Sequence, residues 1–510
     1  MRKIAFAAAL AALLGACGSP PPANVPPGSK AAPDARPVSS AAPSADAADP
    51  QTPDATFRYA PPDRAAPVAP LPTPIDFTLS NGQAVRFVEV RKSPVVTAVV
   101  VVKWRSLAKI PGTAAVFGAA FHRLVLPSGK SLMDELEGLG ARAFATSDQD
   151  ATYVRVTAVR DVAAEALTAT ISALRSGKLD VESFTKARER VIHDVEGESE
   201  SARADRVADA QLFPASHRYH APSTGAVEGL DKLKVDDVTR YRDAALAADG
   251  IAFGVAGAMS KDELSAALER AVNGWTAKAS AKPAKPSAKA DEVAPAGMAH
   301  GVFVTDRASG SRPLGIVVIP MPDGNKADFA AALVAWGVLV ERAAQRLRDA
   351  AADGRSHLDS HMRPRMLGRT MTLFVTAESA PGRAVEHVLA AMDDVVKNDF
   401  PDSDVTYTRR ARSIRATPMD GVESYLWFLA DELRSGSPPG AELGLAPKIQ
   451  AVPRDRIVAA AAAYFKRDRV SVVIDGGSRD EKDALEKLGA GPVKFVAAPK
   501  AASSTKGATK

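Results

Sequence analysis

One order of elements runs twice along this chain, and that repetition limits the fold more than any other feature of the sequence. Leu233-Lys234-Val235-Asp236 opens one helical pattern and Val452-Pro453-Arg454-Asp455 opens another. Gly257 and Gly476 end the apolar strands that come next. The interval from Leu233 to Val452 equals the interval from Gly257 to Gly476. Two separate features in one register define an internal duplication. Each copy mixes strands and helices. The fold class predicted is therefore α+β, with two duplicated halves, each a mainly antiparallel sheet covered by helices.

The first copy opens with "IDFTLSNGQAVRFVEV", two alternating segments about Asn81-Gly82, the dipeptide that most strongly favours a tight hairpin. "VVTAVVVVKW" follows as a buried β-branched strand, too short to span a bilayer. Helices are predicted over 113–126, 130–139 and 161–175, with an alternating strand at 151–160. A helix-plus-loop region covers 180–213, a helix 235–247 and a strand 250–259. The helix at 260–275 starts with Ser260 as N-cap and Glu263 at the capping-box position. The Lys/Pro/Ala-rich segment 277–299 reads as a linker. The pattern then restarts with strands at 301–307 and 314–322, a long helix at 326–352 and a strand at 368–379. Helices at 381–397, 402–416, 420–434 and 452–465 and a strand at 469–477 complete it. The domains are thus read as 75–276 and 300–480, with 481–510 as a low-complexity tail.

The start of the chain is a processing signal. Arg2 and Lys3 precede an apolar run from Ile4 to Leu14, which ends in Leu14-Gly15-Ala16-Cys17 like a bacterial lipobox. Cys17, the single cysteine, is the expected lipidation site, so no internal disulfide forms and no thiol is left for catalysis. Gly18 after the cysteine predicts the periplasmic face of the outer membrane. Residues 18–74, rich in Pro, Ala and Ser, cannot bury enough apolar surface to offset ordering and read as a disordered tether. A net charge of +5 spread over interspersed Lys, Arg, Asp and Glu gives no nucleic-acid footprint. Aromatics are only 5%, so Ala, Val and Leu must fill the cores.

"PGTAAVFGAAFHRL" (111–124), the opening hairpin, "FPASHRYHAPSTGAVEGLDKLKVDDVTRYRDAAL" and the closing "IQAVPRDRIVAAAAAYFKRDRVSVVIDGG" occur in an order that resembles the pitrilysin/insulinase-type zinc peptidases. In size the chain is similar to bacterial two-domain forms and to mitochondrial processing peptidase subunits. The resemblance spans about 75–480 and implies a clamshell of two peptidase-like halves. Active relatives carry His-x-x-Glu-His on the first long helix, two zinc ligands one turn apart with a general base between them. With Gly112 on the family's glycine, those positions here are Ala115, Gly118 and Ala119. None coordinates a cation or accepts a proton. Glu196, within "ERVIHDVEGESE" (189–200), stands where the family places its third ligand, and one Glu cannot hold zinc.

The resemblance also implies a substrate-contacting Arg and Tyr in the second half. "RLRDAAADGRSHLDSHM" (346–362) fits the helix end with Arg346, Leu347 and Arg348 and the glycine with Gly354, but His357 replaces the Tyr. Arg355 and His357 remain as substrate-contact candidates. His122 is the only His in the 113–126 segment and has no Glu at the spacing a shifted motif needs. His357 and His361 would suit a metal if helical, with Asp359 between them, and otherwise belong to a polar loop, the preferred reading. His217 and His220 read as a surface turn and His193 with Asp194 as a solvated helix face. No phosphate loop or Gly-x-Ser-x-Gly elbow occurs.

The implied function is that of a lipid-anchored, inactive peptidase homologue in the bacterial envelope. Such a subunit has no cofactor and binds a peptide or unfolded polypeptide, a zinc-competent peptidase paralogue, or both. One alternative is an active zinc metallopeptidase using non-standard ligands such as His357 and His361. Another is a stand-alone peptide-binding lipoprotein.

Overall fold

The computed structural model describes residues 72–103, 110–246, 250–275, 297–306, 312–350, 356–376, 380–418 and 421–497. Cys17, Gly354, Arg355, nearly all of the tether and most of the linker lie outside them.

β1 (Ile75–Thr78) and β2 (Ala84–Glu89) form the expected hairpin, with Thr78 opposite Ala84 and Gly82 at φ +85°. β3 (Val95–Lys103) leads to α1 (Thr113–Ala120) and α2 (Leu132–Gly138). β4 (Arg142–Ser147) and β5 (Ala151–Val159) are antiparallel neighbours. α3 (Ala163–Ser176), α4 (Val181–Glu196), α5 (Glu200–Leu212), α6 (Val227–Leu230) and α7 (Val235–Leu246) follow. β6 (Ile251–Gly257) and α8 (Lys261–Val272) close the first half, the capping box at Ser260 and Glu263 formed as expected.

The second half comprises β7 (Gly301–Thr305), β8 (Leu314–Met321), α9 (Phe329–Ala350), β9 (His357–Arg363), β10 (Arg369–Thr376) and α10 (Pro381–Val396). After these come α11 (Asp402–Arg415), α12 (Val422–Ser435), α13 (Leu445–Ala451), α14 (Arg454–Tyr464), β11 (Ser471–Asp475), α15 (Lys482–Glu486) and β12 (Val493–Val496).

The duplication is visible in the topology. The strand orders are β1-β2-β6-β3-β5-β4 and β12-β7-β11-β8-β10-β9. In both, the second and third strands are parallel and the remaining pairs on that side are antiparallel. α7 begins at Val235 and α14 at Arg454, the same interval that separates Gly257 from Gly476. The outer strand breaks the symmetry: β1 joins antiparallel, whereas β12 joins parallel to β7.

Three expectations need correction. The tail read from 481 onward carries α15 and β12, so folded structure continues to 497. The helix predicted over 113–126 ends at Ala120, passes through a 3-10 turn at Phe121–Arg123 and leaves helical geometry at Leu124. It must stop there because Val125 bridges to Ser131 and Lys178. His357 and His361 stand on an edge strand, neither a helix nor a loop.

Each sheet buries both faces. Helices of its own half pack on one face, α1, α3 and α8 on the first sheet and α9, α10 and α14 on the second. The opposite face of each sheet is covered by a helix from the other half. α12 lays Leu426, Leu429, Ala430 and Leu433 on Val99, Val101, Ala252 and Ala256. α5 lays Ala204, Val207, Ala208 and Leu212 on Ile316, Val318, Phe374 and Val473. Both helices show apolar residues at intervals of three and four, the stripe a helix needs to cover a sheet. α5 is capped by Ser199, whose side chain accepts from the Ala202 N–H, and α12 ends at Gly436 in the left-handed region. Among the described residues no helix is long and apolar enough to cross a membrane.

Candidate functional site

α1 is positioned by its N-terminus. Gly112 sits at φ +94°, and a Cβ there would lie 2.5 Å from the Thr224 carbonyl oxygen, so only glycine fits. Thr113 donates its hydroxyl to the Ile110 carbonyl at 2.7 Å. Val116, Phe117 and Ala120 then face the core. Ala115 and Ala119 are half-buried and one turn apart, as metal ligands on a helix face would be. Gly118 is buried against the edge strand β4: a Cβ on it would stand 3.1 Å from the Ala145 carbonyl oxygen and 3.6 Å from Ser147 Oγ. Ser147 in turn donates to the Ala114 carbonyl at 3.0 Å. The strand lies against the helix at Gly118, where no side chain stands between them.

These positions do not fit a zinc ion. Alanine and glycine offer no donor atom, and Glu196, exposed at the end of α4, stands alone. His122 is half-buried beside Arg123, and both effects hold its imidazole below the usual range, burial most of all. Among the described residues, no three His, Cys, Asp or Glu side chains gather as a metal site requires.

The second-half candidates are engaged elsewhere. Arg346 gives a bidentate pair to Asp394 at 2.6 and 2.7 Å, and Arg348 donates to Gln345 at 2.8 Å. His357 and His361 point to one face of β9, but four residues of strand separate them by about 13 Å, too far for one ion. His361 bonds Asp205 of α5 at 3.0 Å instead. His217 accepts from the Tyr219 N–H at 3.1 Å and stacks on Phe213, and His220 bonds the Phe213 carbonyl, so "HRYH" is tied into the fold. His193 and Asp194 are exposed on α4, as expected.

The polar chemistry of the molecule lies where the halves cross, and sequence reasoning missed it. On one seam Asp209 of α5 accepts from Arg363 at 2.9 and 2.7 Å and from Arg365 at 2.6 and 2.7 Å. On the other, Glu432 of α12 accepts from Arg86 at 3.0 Å, and Arg369 bridges Asp431 and Glu442 at 3.1 Å each. Between them Asp150 takes bonds from Tyr219 and Arg218 of the first half and from the Met366 N–H of the second. The signal available in the sequence was the set of charges inside otherwise apolar helices and strands, which burial forces into pairs. Beside the second seam an open groove of about 680 Å³ runs along the outer face of α12, lined by Ile414, Arg415, Trp427, Phe428, Asp431 and Glu442.

The seam carboxylates respond to pH in opposite directions. Burial, with the nearby Asp431 charge, pushes Glu442 up to about 7 despite Arg369. The folded state therefore holds a proton that the unfolded chain releases near its ordinary value of 4.5. That contribution to stability is complete below 4.5 and is lost as pH rises through about 7. Asp205 is also desolvated, but Arg363 and His361 bring it below its usual range, so its contribution is lost as pH falls. Glu442→Gln is expected to flatten the decline in stability between pH 5 and 8, read as urea midpoints across that range. An unchanged slope would refute the assignment to Glu442.

No protein-family model and no curated protein matches the chain in sequence. Solved structures do match in fold. A peptidase M16 inactive domain from Pseudomonas fluorescens superposes with a TM-score of 0.66 at 16% identity, covering 79% of this chain and 98% of that one. A protease from Helicobacter pylori gives 0.66 at 15%, covering 79% and 99%. A chain of complex III2 from Candida albicans gives 0.61 at 13%, covering 81% and 98%. The chain thus has the two-half fold of the M16 peptidases and their inactive relatives, as the sequence resemblance implied.

Proposed function

We propose that this chain is a non-catalytic peptidase homologue that binds extended polypeptide and pairs with a zinc-competent peptidase subunit. It works in the bacterial envelope, held by lipid on Cys17. The observation that carries this reading is α1, which keeps its capping glycine, its core face and its place against β4 while offering no ligand at Ala115, Gly118 or Ala119. The packing role of that helix survives without the chemistry. Similarity to a complex III2 chain, which is part of an assembly, and to an M16 inactive domain supports a binding role.

The test uses the full chain. Purified from envelopes, it is expected to carry less than stoichiometric zinc, to leave a quenched peptide library uncut, and to bring down a peptidase of similar size. Stoichiometric zinc together with cleavage would overturn the non-catalytic reading. Recovery of the chain alone, still binding peptide, would remove the partner and leave a stand-alone peptide-binding lipoprotein.

A further inference from the structure

Among the described residues five arginines are less than a tenth exposed: Arg86, Arg155, Arg365, Arg369 and Arg434. Four are paired with carboxylates: Arg86 with Asp76 and Glu432, Arg365 with Asp209, Arg369 with Asp431 and Glu442, and Arg434 with Asp431. Arg155 is the exception. It is 6% exposed, its Nε is buried with no acceptor, and its guanidinium forms no hydrogen bond or ion pair with any described residue. Its partners among those residues are two ring faces, Trp427 at 3.7 Å and Phe144 at 5.4 Å. Ring faces attract a cation but give the buried Nε no acceptor. Burial accordingly holds this guanidinium below its ordinary range.

The covering rings are unusual too. Trp427 is 63% exposed and Phe144 44% exposed, although both are large apolar groups. They close the joint between β4 and α12, which Arg142 and Glu423 bridge alongside at 2.5 Å. Trp427 also lines the 680 Å³ groove. A buried cation without an anion therefore lies under an exposed lid, next to an open channel.

The second copy carries no cation at the matching place. Val99 pairs with Gly254 and with Arg155. Gly254 corresponds to Val473 by the interval between the copies, Val473 pairs with Ile316, and Ile316 pairs with Phe374. Arg155 faces Phe144 on its edge strand, and Phe374 faces Asp359 on the equivalent edge strand. The cations of that edge strand, His361 and Arg363, are met by Asp205 and Asp209 of α5. In the first half α12 supplies no carboxylate to Arg155.

We infer that Arg155 is a carboxylate-binding site, lidded by Trp427 and Phe144, for an acidic side chain of a polypeptide laid across the β4–α12 seam. This deepens the peptide-binding reading and rests on it. The planar guanidinium presents paired donors that match a carboxylate. A single unpaired cation suits a monoanion, since the neighbouring Arg142 is already neutralised by Glu423. Apolar residues beside the acid would cover Trp427 and enter the groove along Ile414 and Phe428.

Calorimetry on the full chain tests this with a blocked Val/Thr-rich peptide bearing one central Glu, its Gln twin, and inorganic phosphate. The Glu peptide is expected to bind about tenfold more tightly than the Gln peptide, the value of a charge-assisted hydrogen bond. Arg155→Met should abolish that preference without lowering the unfolding temperature, because it removes an unpaired buried charge. Trp427→Ala, at a position that is 63% exposed, should weaken binding of the Glu peptide while the unfolding temperature, read alongside, stays within a few degrees of wild type. Equal binding of both peptides, or an Arg155→Met protein that keeps the preference, would overturn the site and leave the peptide-binding reading standing. Binding of neither peptide would end both. Displacement of the Glu peptide by phosphate would show a general anion seat and overturn the choice of carboxylate.

Discussion

Replacing Asp209 with alanine is expected to cost the fold about 3–5 kcal/mol, the usual penalty for stranding buried charge. Asp209 is 3% exposed and accepts four hydrogen bonds from Arg363, which is half-buried, and Arg365, which is buried. Arg365 also lies over Tyr219 at 4.4 Å and Phe213 at 5.1 Å, so without the carboxylate it keeps ring faces and little else. The Asp sits on a helix of the first half and both arginines belong to the second, so the loss is felt at the joint. Urea unfolding followed by circular dichroism should show one cooperative transition moved to lower denaturant, with Asp209→Asn intermediate because it keeps an acceptor but not the charge. A shift below about 1 kcal/mol, within the range of exposed ion pairs, would mean that this seam does not hold the halves together.

Rebuilding the metal motif by Ala115→His, Gly118→Glu and Ala119→His is expected to fail as a gain of peptidase activity and to lower stability. The histidines at 115 and 119 fall on half-buried positions and are expected to cost less. The glutamate is not: its Cβ would press on the Ala145 carbonyl at 3.1 Å, and the rest of the side chain has β4 in its path. Overpacking of this kind costs about 1–3 kcal/mol. Thermal unfolding of Gly118→Glu alone, compared with Ala115→His and Ala119→His together, isolates the effect. A triple variant with wild-type stability that binds zinc and cuts peptides would show that β4 yields easily and that only the donors had been lost.

Much of the architecture was legible in the sequence because it is written in local signals. Asn81-Gly82 makes its hairpin, Ser260 and Glu263 make their capping box, and the register of the duplication holds at α7 and α14. The edge strands β4 and β9 were not legible. "RAFATS" and "HLDSHMR" are short and largely polar or small, because an edge strand has one neighbour and much exposed surface. The exchange of α5 and α12 was hidden for a different reason. Helical periodicity reports which face is apolar, and says nothing about which sheet that face will meet. Arg155 was concealed by the same gap. In the alternating strand 151–159 an arginine reads as facing water, and the nearer of the two rings that cover it, Trp427, is on a helix encoded far along the chain in the other half. The vacant motif at Ala115, Gly118 and Ala119 was readable as missing donors, whereas the contact of β4 with Gly118 depends on where an edge strand unseen in the sequence comes to lie.

The crossing of α5 and α12 also sets an order of events for the nascent polypeptide. The first sheet is complete once β6 has emerged at Gly257, yet the helix that shields its second face ends at Ser435. Until α12 has been made, Val99, Val101 and Ala252 lack the cover they have in the folded chain and present an apolar plate. The early half thus depends on the late half to bury its second face, and the late half depends on α5 of the early one in the same way.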